Sequence, residues 1–234
     1  MVQRGRRFTM GVGEAAPWTA AVAALWTAVM LLVLVARGVL RARARRRGRE
    51  KHVRVLAVLG SGGHTAEMLR LLTSLCQREE YAHVEFVLAD TDLSSRASAE
   101  LLRERLVHTE RPFPPVSFRV IPRSREVGQS YLSSVLTTLR ALVGTIATVS
   151  ASRADLVLCN GPGTCLPVCL VARALTLVTL RPTVIVYVES MARVRSLSLT
   201  GRIVWKLGIA DAFFVQWECL AARHPGTVFR GRLC

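Results

Sequence analysis

The stretch that decides the fold is VRVLAVLGSGGHTAE, residues 53–67, in which a run of apolar residues ends in a glycine-rich turn. The run from Val53 to Leu59 is apolar at nearly every position, which is typical of a parallel strand covered by helices on both faces. The glycines let the backbone bend sharply before a helix that begins at about Thr65. This strand, turn and helix form the first unit of an α/β fold.

Five further apolar runs follow, each ending in glycine, proline or polar residues that precede a helical stretch. The repeated order of strand and helix predicts a single doubly wound parallel sheet, the Rossmann-like architecture. Apolar spacing between the strands predicts helices over 65–76, 133–149 and 164–177. The further strands are predicted at residues 84–89, 117–121, 155–159, 183–188 and 212–216.

The N-terminal part of the chain departs from this pattern, because residues 15–36 contain no charged side chain. About 20 apolar helical residues cross a hydrocarbon layer of about 30 Å, so the segment predicts one transmembrane helix. A cleaved signal peptide is the alternative, although arginines rather than a cleavage site follow the run. Arginine and lysine are retained in the cytosol, which predicts a luminal segment over 1–14, a basic cytosolic linker over 37–51 and a cytosolic domain over 52–234.

The formal net charge of +16 is also typical of nucleic-acid-binding proteins. Residues 1–54, however, hold 12 of the 32 lysines and arginines and only two of the 16 acidic residues. Most of the excess charge therefore lies beside the predicted membrane helix, where it sets orientation and attracts anionic lipid headgroups. No nucleic-acid partner is predicted.

The first glycine-rich loop is a candidate phosphate site, because open parallel sheets bind ligands beyond the carboxyl ends of their strands. Glycines allow close backbone approach, and the free N–H groups of a helix start favour an anion such as a diphosphate. A histidine in this turn is suited to donate to phosphate or to accept a proton, with a satisfied loop histidine as the alternative. The predicted residues are Ser61, Gly62, Gly63, His64 and Thr65, and for Thr65 helix capping is the alternative.

The same loop does not match two common nucleotide-binding patterns. It is not a P-loop, since no Gly-Lys-Ser/Thr follows, and the dinucleotide fingerprint fails at its third glycine, which is Thr65. Asp90 stands where a ribose-binding acid would lie, so an oxidoreductase is weakened rather than excluded. No cofactor is predicted.

Three further strand ends place functional side chains at the same edge. Arg123 and Arg125 follow the third strand and are suited to clamp a phosphate, with a solvated loop or pairing to a partner's acids as alternatives. Glu189 ends the fifth strand, where a carboxylate can act as a base or hold a sugar hydroxyl; a helix-capping or ion-pair role is the alternative. The second glycine-rich turn, after the fourth strand, contributes Asn160, Gly161 and Gly163.

The six cysteines form no C-x-x-C pair, and none lies near a histidine at zinc-ligand spacing. Reduced thiols are therefore predicted, with Cys165 and Cys169 as small apolar residues of a buried helix, and no metal site.

At these loops the sequence closely resembles one family, the membrane-anchoring subunit of the UDP-N-acetylglucosamine transferase that adds the second sugar to dolichol-diphosphate-linked N-acetylglucosamine. The resemblance extends from about Val53 to the C-terminus and covers every loop described above. The matching stretches are VLGSGGHTAEMLRLL, ADTD, IPRSREVGQS, DLVLCNGPGTCLPV, VIVYVES and FFVQW.

The resemblance implies that the chain is the acceptor-side half of a split two-domain transferase of the GT-B type. The other half is then a separate soluble subunit that binds the sugar nucleotide and is recruited to the cytosolic face of the endoplasmic reticulum membrane. About 180 residues follow the predicted anchor, which suffices for one such domain and not for two. The implied site has Gly62, Gly63 and His64 at the acceptor diphosphate or reaction centre, with His64 and Glu189 as the candidate catalytic residues.

The resemblance further implies that a C-terminal segment, residues 217–234, grips the partner, and Trp217, Arg230 and Leu233 are its predicted contacts. Two other hypotheses remain open. One is a membrane scaffold whose glycine loops have no working role, and the other is a complete membrane-bound Rossmann enzyme that uses a nucleotide.

Overall fold

The computed structural model describes residues 38–39, 52–106, 114–123 and 131–234. Its C-terminal compact unit contains a sheet of seven parallel strands in the order β3-β2-β1-β4-β5-β6-β7. The strands are β1 Val53–Val58, β2 Tyr81–Ala89, β3 Val116–Ile121, β4 Leu156–Cys159, β5 Val184–Val188, β6 Ala212–Val215 and β7 Val228–Phe229. The helices are α1 Gly63–Leu75, α2 Leu93–Leu106, α3 Tyr131–Ser152, α4 Cys165–Thr179, α5 Leu199–Lys206 and α6 Glu218–Arg223.

The predicted doubly wound parallel sheet is confirmed, and all six predicted strands are present. The chain adds β1, β2 and β3 in one direction and then returns to place β4 on the other side of β1. In such an order the loops after β1 and β4 diverge to opposite faces and leave a crevice between them. The glycine-rich turns predicted from the sequence follow these two strands.

Each face of the sheet carries its own apolar core, because successive side chains of a strand point to opposite faces. Leu56 and Val58 of β1 pack with α3, α4 and α5, whereas Val55 and Ala57 pack with α1 and α2. Both layers are thus covered, which explains why the strands are apolar without alternation. Cys165 and Cys169 lie in the first core with no exposed surface, and the six cysteines are free thiols.

Helix α3 leaves an apolar stripe exposed on its outer side. Leu136 is 72% exposed and Val143 69%, and Leu139 and Ile146 continue the same face. The helix contains no aspartate or glutamate, and Arg140 is its only charged residue. An exposed apolar stripe of this kind is typical of a surface that contacts another protein or a membrane.

Within the described ranges, none of the helices combines the length and the hydropathy of a membrane span. The transmembrane helix predicted over 15–36, its luminal flank, Arg125 and the linker over 37–51, apart from residues 38–39, lie outside the described residues.

Candidate functional site at the carboxyl edge of the sheet

The two glycine-rich loops pack directly against each other at the crevice between β1 and β4. A Cβ atom added to Gly60 would overlap the ring of Pro162, so only glycine allows this close approach of the two loops. Gly161 has a φ of 77°, and a Cβ there would lie 2.7 Å from Cε1 of His64. The sequence spacing does not reveal this contact, which brings the histidine of one loop onto the backbone of the other.

Helix α1 begins without a side-chain cap; the N–H of Thr65 donates to the carbonyl of Gly62 at 3.2 Å, and the amides of Gly63 and His64 come before it. Gly62 is the N-cap residue, with a φ of 69° that favours glycine, and no side chain accepts a hydrogen bond from the helix start. The first N–H groups of a helix have no intrahelical partner, and they attract anions. Ser61, Gly62 and Gly63 are all exposed, so this end of the helix is open to a phosphate group.

Thr65 points inward rather than into the crevice. Its side chain is 3% exposed, and Oγ1 lies 2.5 Å from the carbonyl oxygen of Gly60 and 2.7 Å from Oγ of Ser95. Ser95 in turn donates to Asp92 at 2.7 Å. Thr65 therefore holds the base of the glycine loop against α2. The helix-capping interpretation is wrong because α1 starts two residues earlier, at Gly63.

His64 and Asn160 contribute the two unsatisfied polar atoms of the site. His64 is half-buried, and its Nδ1 is buried without a hydrogen-bond partner. Asn160 is fully buried; its Nδ2 donates to the carbonyl of Val188 at 3.3 Å, while its Oδ1 has no partner. Buried polar atoms are almost always hydrogen-bonded, so these two exceptions mark a polar region directly beneath the crevice.

Glu189 lies beneath the start of helix α5. It has no exposed surface; Oε2 accepts hydrogen bonds from the backbone and hydroxyl of Ser198 at 3.0 and 3.2 Å, and Oε1 accepts from the backbone of Ser190 at 3.2 Å. Ser198 is the N-cap residue of α5 and accepts from Gly201 at 2.9 Å. These contacts fit the helix-capping interpretation, and a catalytic role for Glu189 stays a prediction.

The titration of Glu189 makes a testable contribution to stability. Burial raises the pKa of its carboxyl above the ordinary value of 4.5, and hydrogen bonds from Ser198 and Ser190 oppose the shift. Because the folded state then keeps its proton at pH values where the unfolded chain has lost it, the free energy of unfolding falls as pH rises between the two pKa values. We expect Glu189→Gln to lose this fall when unfolding is measured at a series of pH values upward from the ordinary value of 4.5. Equal slopes for wild type and variant would contradict the prediction.

The remaining residues that were predicted to bind the ligand lie at the same edge of the sheet and differ in exposure. Arg123 is half-buried, and its Nη1 donates to Oγ1 of Thr91 at 2.8 Å, which ties the end of β3 to the end of β2. Gly161 is buried, whereas Gly163 is exposed in the second glycine loop. Among the described residues, no group of three histidine, cysteine or acidic side chains is placed to hold a metal ion.

The C-terminal segment folds back onto the site rather than extending away. Trp217 donates from Nε1 to the carbonyl of Met191 at 2.8 Å, and the guanidinium of Arg232 lies 4.8 Å from the centre of the indole ring. Leu233 packs against the apolar core to which the buried face of α1 belongs, whereas Arg230 is exposed. Trp217 and Leu233, two of the predicted partner contacts, therefore already make contacts within the domain itself.

Comparison with known proteins identifies the family. Residues 55–233 match the family described as "Oligosaccharide biosynthesis protein Alg14 like". The chain belongs to this family. The family resemblance drawn from the sequence is thereby confirmed, and the match extends over all the strands except the first two residues of β1.

Among its relatives, the chain is 45% identical over 186 residues to the rat UDP-N-acetylglucosamine transferase subunit ALG14, across 76% of this chain and 82% of the relative. The human protein of the same name is 42% identical, across 76% of this chain and 82% of the relative. The protein of that name from Yarrowia lipolytica is 37% identical, across 80% of this chain and 84% of the relative. The Alg14 family thus includes relatives from mammals and fungi that cover most of this chain.

Among solved structures, MurG of Acinetobacter baumannii superposes with a TM-score of 0.51 at 14% identity, over 78% of this chain and 44% of that protein. A putative UDP-N-acetylglucosamine 2-epimerase of Listeria monocytogenes superposes with a TM-score of 0.50 at 15% identity, over 73% of this chain and 40% of that protein. The chain therefore corresponds to less than half of each of these proteins, and the likeness extends to the fold alone.

Proposed function

We propose that this chain is the membrane-bound, acceptor-side subunit of a UDP-N-acetylglucosamine transferase that extends a lipid-diphosphate-linked N-acetylglucosamine. Membership in the Alg14 family supports the reaction class. The observation that carries the acceptor role is the meeting of the open α1 start with His64 and Gly161 at one crevice. A diphosphate bound there would accept hydrogen bonds from backbone amides without needing a metal-ligand set.

In the proposed reaction the acceptor sugar's hydroxyl attacks the anomeric carbon of the donor, and the bond between that carbon and the diphosphate breaks. The first amides of α1 hold the acceptor diphosphate and fix the position of the sugar beyond it. The half-buried imidazole of His64 stands beside this group and is suited either to receive the hydroxyl proton or to donate to phosphate. Asn160 lies fully buried beneath the crevice and ties the second glycine-rich loop to the end of β5 through the carbonyl of Val188.

The donor side is proposed to belong to a separate soluble subunit. The described residues form one doubly wound sheet that matches less than half of MurG, which supports the assignment of donor binding to another polypeptide. The partner would contact segment 217–234, whose Arg230 and Arg232 side chains are exposed at the carboxyl edge. Closure of a second domain over this edge would also exclude water from the reacting groups.

The membrane location is proposed to be the cytosolic face of the endoplasmic reticulum, with a single span over 15–36. The acid-free, apolar outer face of α3 supports a position of the domain against a lipid surface. A lipid-linked acceptor would reach the crevice most readily if the domain lay at that surface.

The test is to isolate the full chain from membranes with its bound proteins and to assay transfer from UDP-N-acetylglucosamine to the lipid-linked acceptor. We expect transfer by the complex, and a loss of at least about 100-fold in kcat/KM for His64→Gln, in line with the loss of a proton-transfer group. His83→Gln is the matched control, because His83 also has a buried Nδ1 without a partner but lies near the opposite end of β2. Full activity of the His64 variant would favour a scaffold, and transfer by the purified chain alone would overturn the two-subunit proposal.

A further inference from the structure

Glu67 is a buried carboxylate that the proposed reaction does not use. It lies one turn after His64 on α1 and is 8% exposed. Its Oε1 accepts a hydrogen bond from the hydroxyl of Ser190 at 2.9 Å, and its Oε2 accepts from the backbone N–H of Met191 at 3.4 Å. Because Ser190 and Met191 begin the loop after β5, one side chain ties the glycine-loop helix to that loop.

The same loop is held from its other side by the C-terminal segment. The carbonyl of Met191 accepts the indole N–H of Trp217 at 2.8 Å, and Trp217 is covered by the guanidinium of Arg232. The peptide around Met191 is therefore gripped by Glu67 through its N–H and by Trp217 through its carbonyl. Hydrogen bonds to a carboxylate are stronger than those between neutral groups, and hydrogen bonds linked in a network strengthen one another.

The last residues of the chain complete the connection. Gln216 is buried, and its Oε1 accepts the backbone N–H of Leu233 at 2.7 Å while its Nε2 lies 2.8 Å from Sγ of Cys234. Leu233 packs against the core that contains Met68 and Leu72 of α1. Burial raises the pKa of the neighbouring Cys234 thiol, and the carboxylate of Glu67 raises it further. The C-terminal segment thus returns to the helix that carries Glu67.

On the side of the site, Ser190 and His64 flank the same glycine. A Cβ built on Gly161 would lie 2.7 Å from Cε1 of His64 and 3.4 Å from Cβ of Ser190. In a close-packed interior, a shift of one neighbour is transmitted to the others because no free space absorbs it. A displacement of Ser190 would therefore change the space available to the His64 ring.

We propose that Glu67 is a positioning residue that couples segment 217–234 to the glycine loop, so that a partner gripping the segment also sets the position of His64. This inference rests on the proposed function for the nature of the partner and of the reaction. The coupling itself is a property of the chain alone and can be measured without either.

The first experiment measures hydrogen exchange in the full chain, purified in detergent, for wild type, Glu67→Ala and the control Glu104→Ala. Glu104 is an exposed glutamate of helix α2. We expect exchange of the Leu233 amide and of the 190–198 loop to speed up by about tenfold or more in Glu67→Ala only, since a buried charged acceptor is lost. Unchanged exchange of both regions would overturn the proposal.

A second variant keeps the inference testable if Glu67→Ala does not fold. Trp217→Phe retains an aromatic ring under Arg232 but removes the N–H donated to Met191. We expect it to loosen the same loop, and its effect on exchange to be non-additive with that of Glu67→Gln, as for residues in one network. Additive effects would overturn the coupling.

The third measurement uses the complex isolated from membranes. We expect Glu67→Ala to raise the KM for the lipid-linked acceptor by about tenfold. We expect a smaller increase for Glu67→Gln, because the amide keeps one oxygen acceptor. An unchanged acceptor KM in an active complex would overturn the link to His64. If wild type shows no transfer at all while exchange in Glu67→Ala responds as expected, the proposed function fails and the coupling stands.

Discussion

Replacing Gly161 by alanine is expected to reduce transfer by the complex by at least about 100-fold, the loss that follows when reacting groups are misplaced by about 1 Å. The backbone at Gly161 has a φ of 77°, which costs about 1–2 kcal/mol for a residue with a Cβ. The added methyl would also lie 2.7 Å from Cε1 of His64 and would push the ring out of the crevice. The measurement is kcat/KM for the lipid-linked acceptor.

Gly226→Ala is the matched control for this variant. Gly226 has a φ of 83°, but a Cβ there would meet no atom within 4 Å. The control therefore carries the same backbone strain without the contact to His64. Because Gly226 lies in the predicted partner-binding segment, both variants are assayed as isolated complexes that retain the partner. If both then lost activity equally, backbone strain would explain the effect and the role assigned to the His64–Gly161 contact would be wrong.

Gly201→Ala is expected to lower the free energy of unfolding by about 3 kcal/mol, as overpacking of a buried site does. The added Cβ would overlap Oε2 of Glu189, the atom that accepts both hydrogen bonds from Ser198. Displacement of that oxygen would leave a buried carboxylate and the cap of α5 without their partners. For a domain of this size the change corresponds to a fall in Tm of about 6–12 °C.

Gly63→Ala provides the contrast, because Gly63 is also helical but a Cβ there would meet nothing within 4 Å. Alanine is favoured over glycine in helices by about 1 kcal/mol, so this variant is expected to be unchanged or slightly more stable. Thermal unfolding of both variants decides the point. A Gly201→Ala domain as stable as wild type would show that Glu189 is not held in the observed position.

The first six strands could be predicted because each is a short apolar run. Helices cover both faces of the sheet, so the side chains on both sides of each strand are apolar. Strand β7 escaped prediction since it contains only Val228–Phe229, both half-buried at the sheet edge. The bounds of α2 were not assigned because its segment, LSSRASAELLRERL, has few apolar residues, and of these mainly Ala99 is buried. Edge strands and polar helices are weak patterns that tertiary contacts complete.

The candidate site was predicted as a set of loops, but the direction of individual side chains was not. Thr65 and Glu189 stand at ligand-facing positions in the sequence, yet one holds the base of the glycine loop and the other lies under α5. Glu67 and Ser190 were missed altogether. A glutamate on an otherwise apolar helix face was the one available signal for Glu67, whereas its partner lies 123 residues further along the chain.

The sequence by itself determined the family, the parallel α/β fold and the edge of the sheet where the glycine loops lie, because these follow from local runs of apolar residues and from motifs whose residues are consecutive. Only the tertiary structure decided which side chains share that edge. The strand order places β4 beside β1, and this brings His64 against Gly161 and leaves Asn160 with a free buried oxygen. It also decided that the C-terminal segment returns to α1 through Met191 and Trp217, since such contacts depend on packing between residues that are remote in the chain.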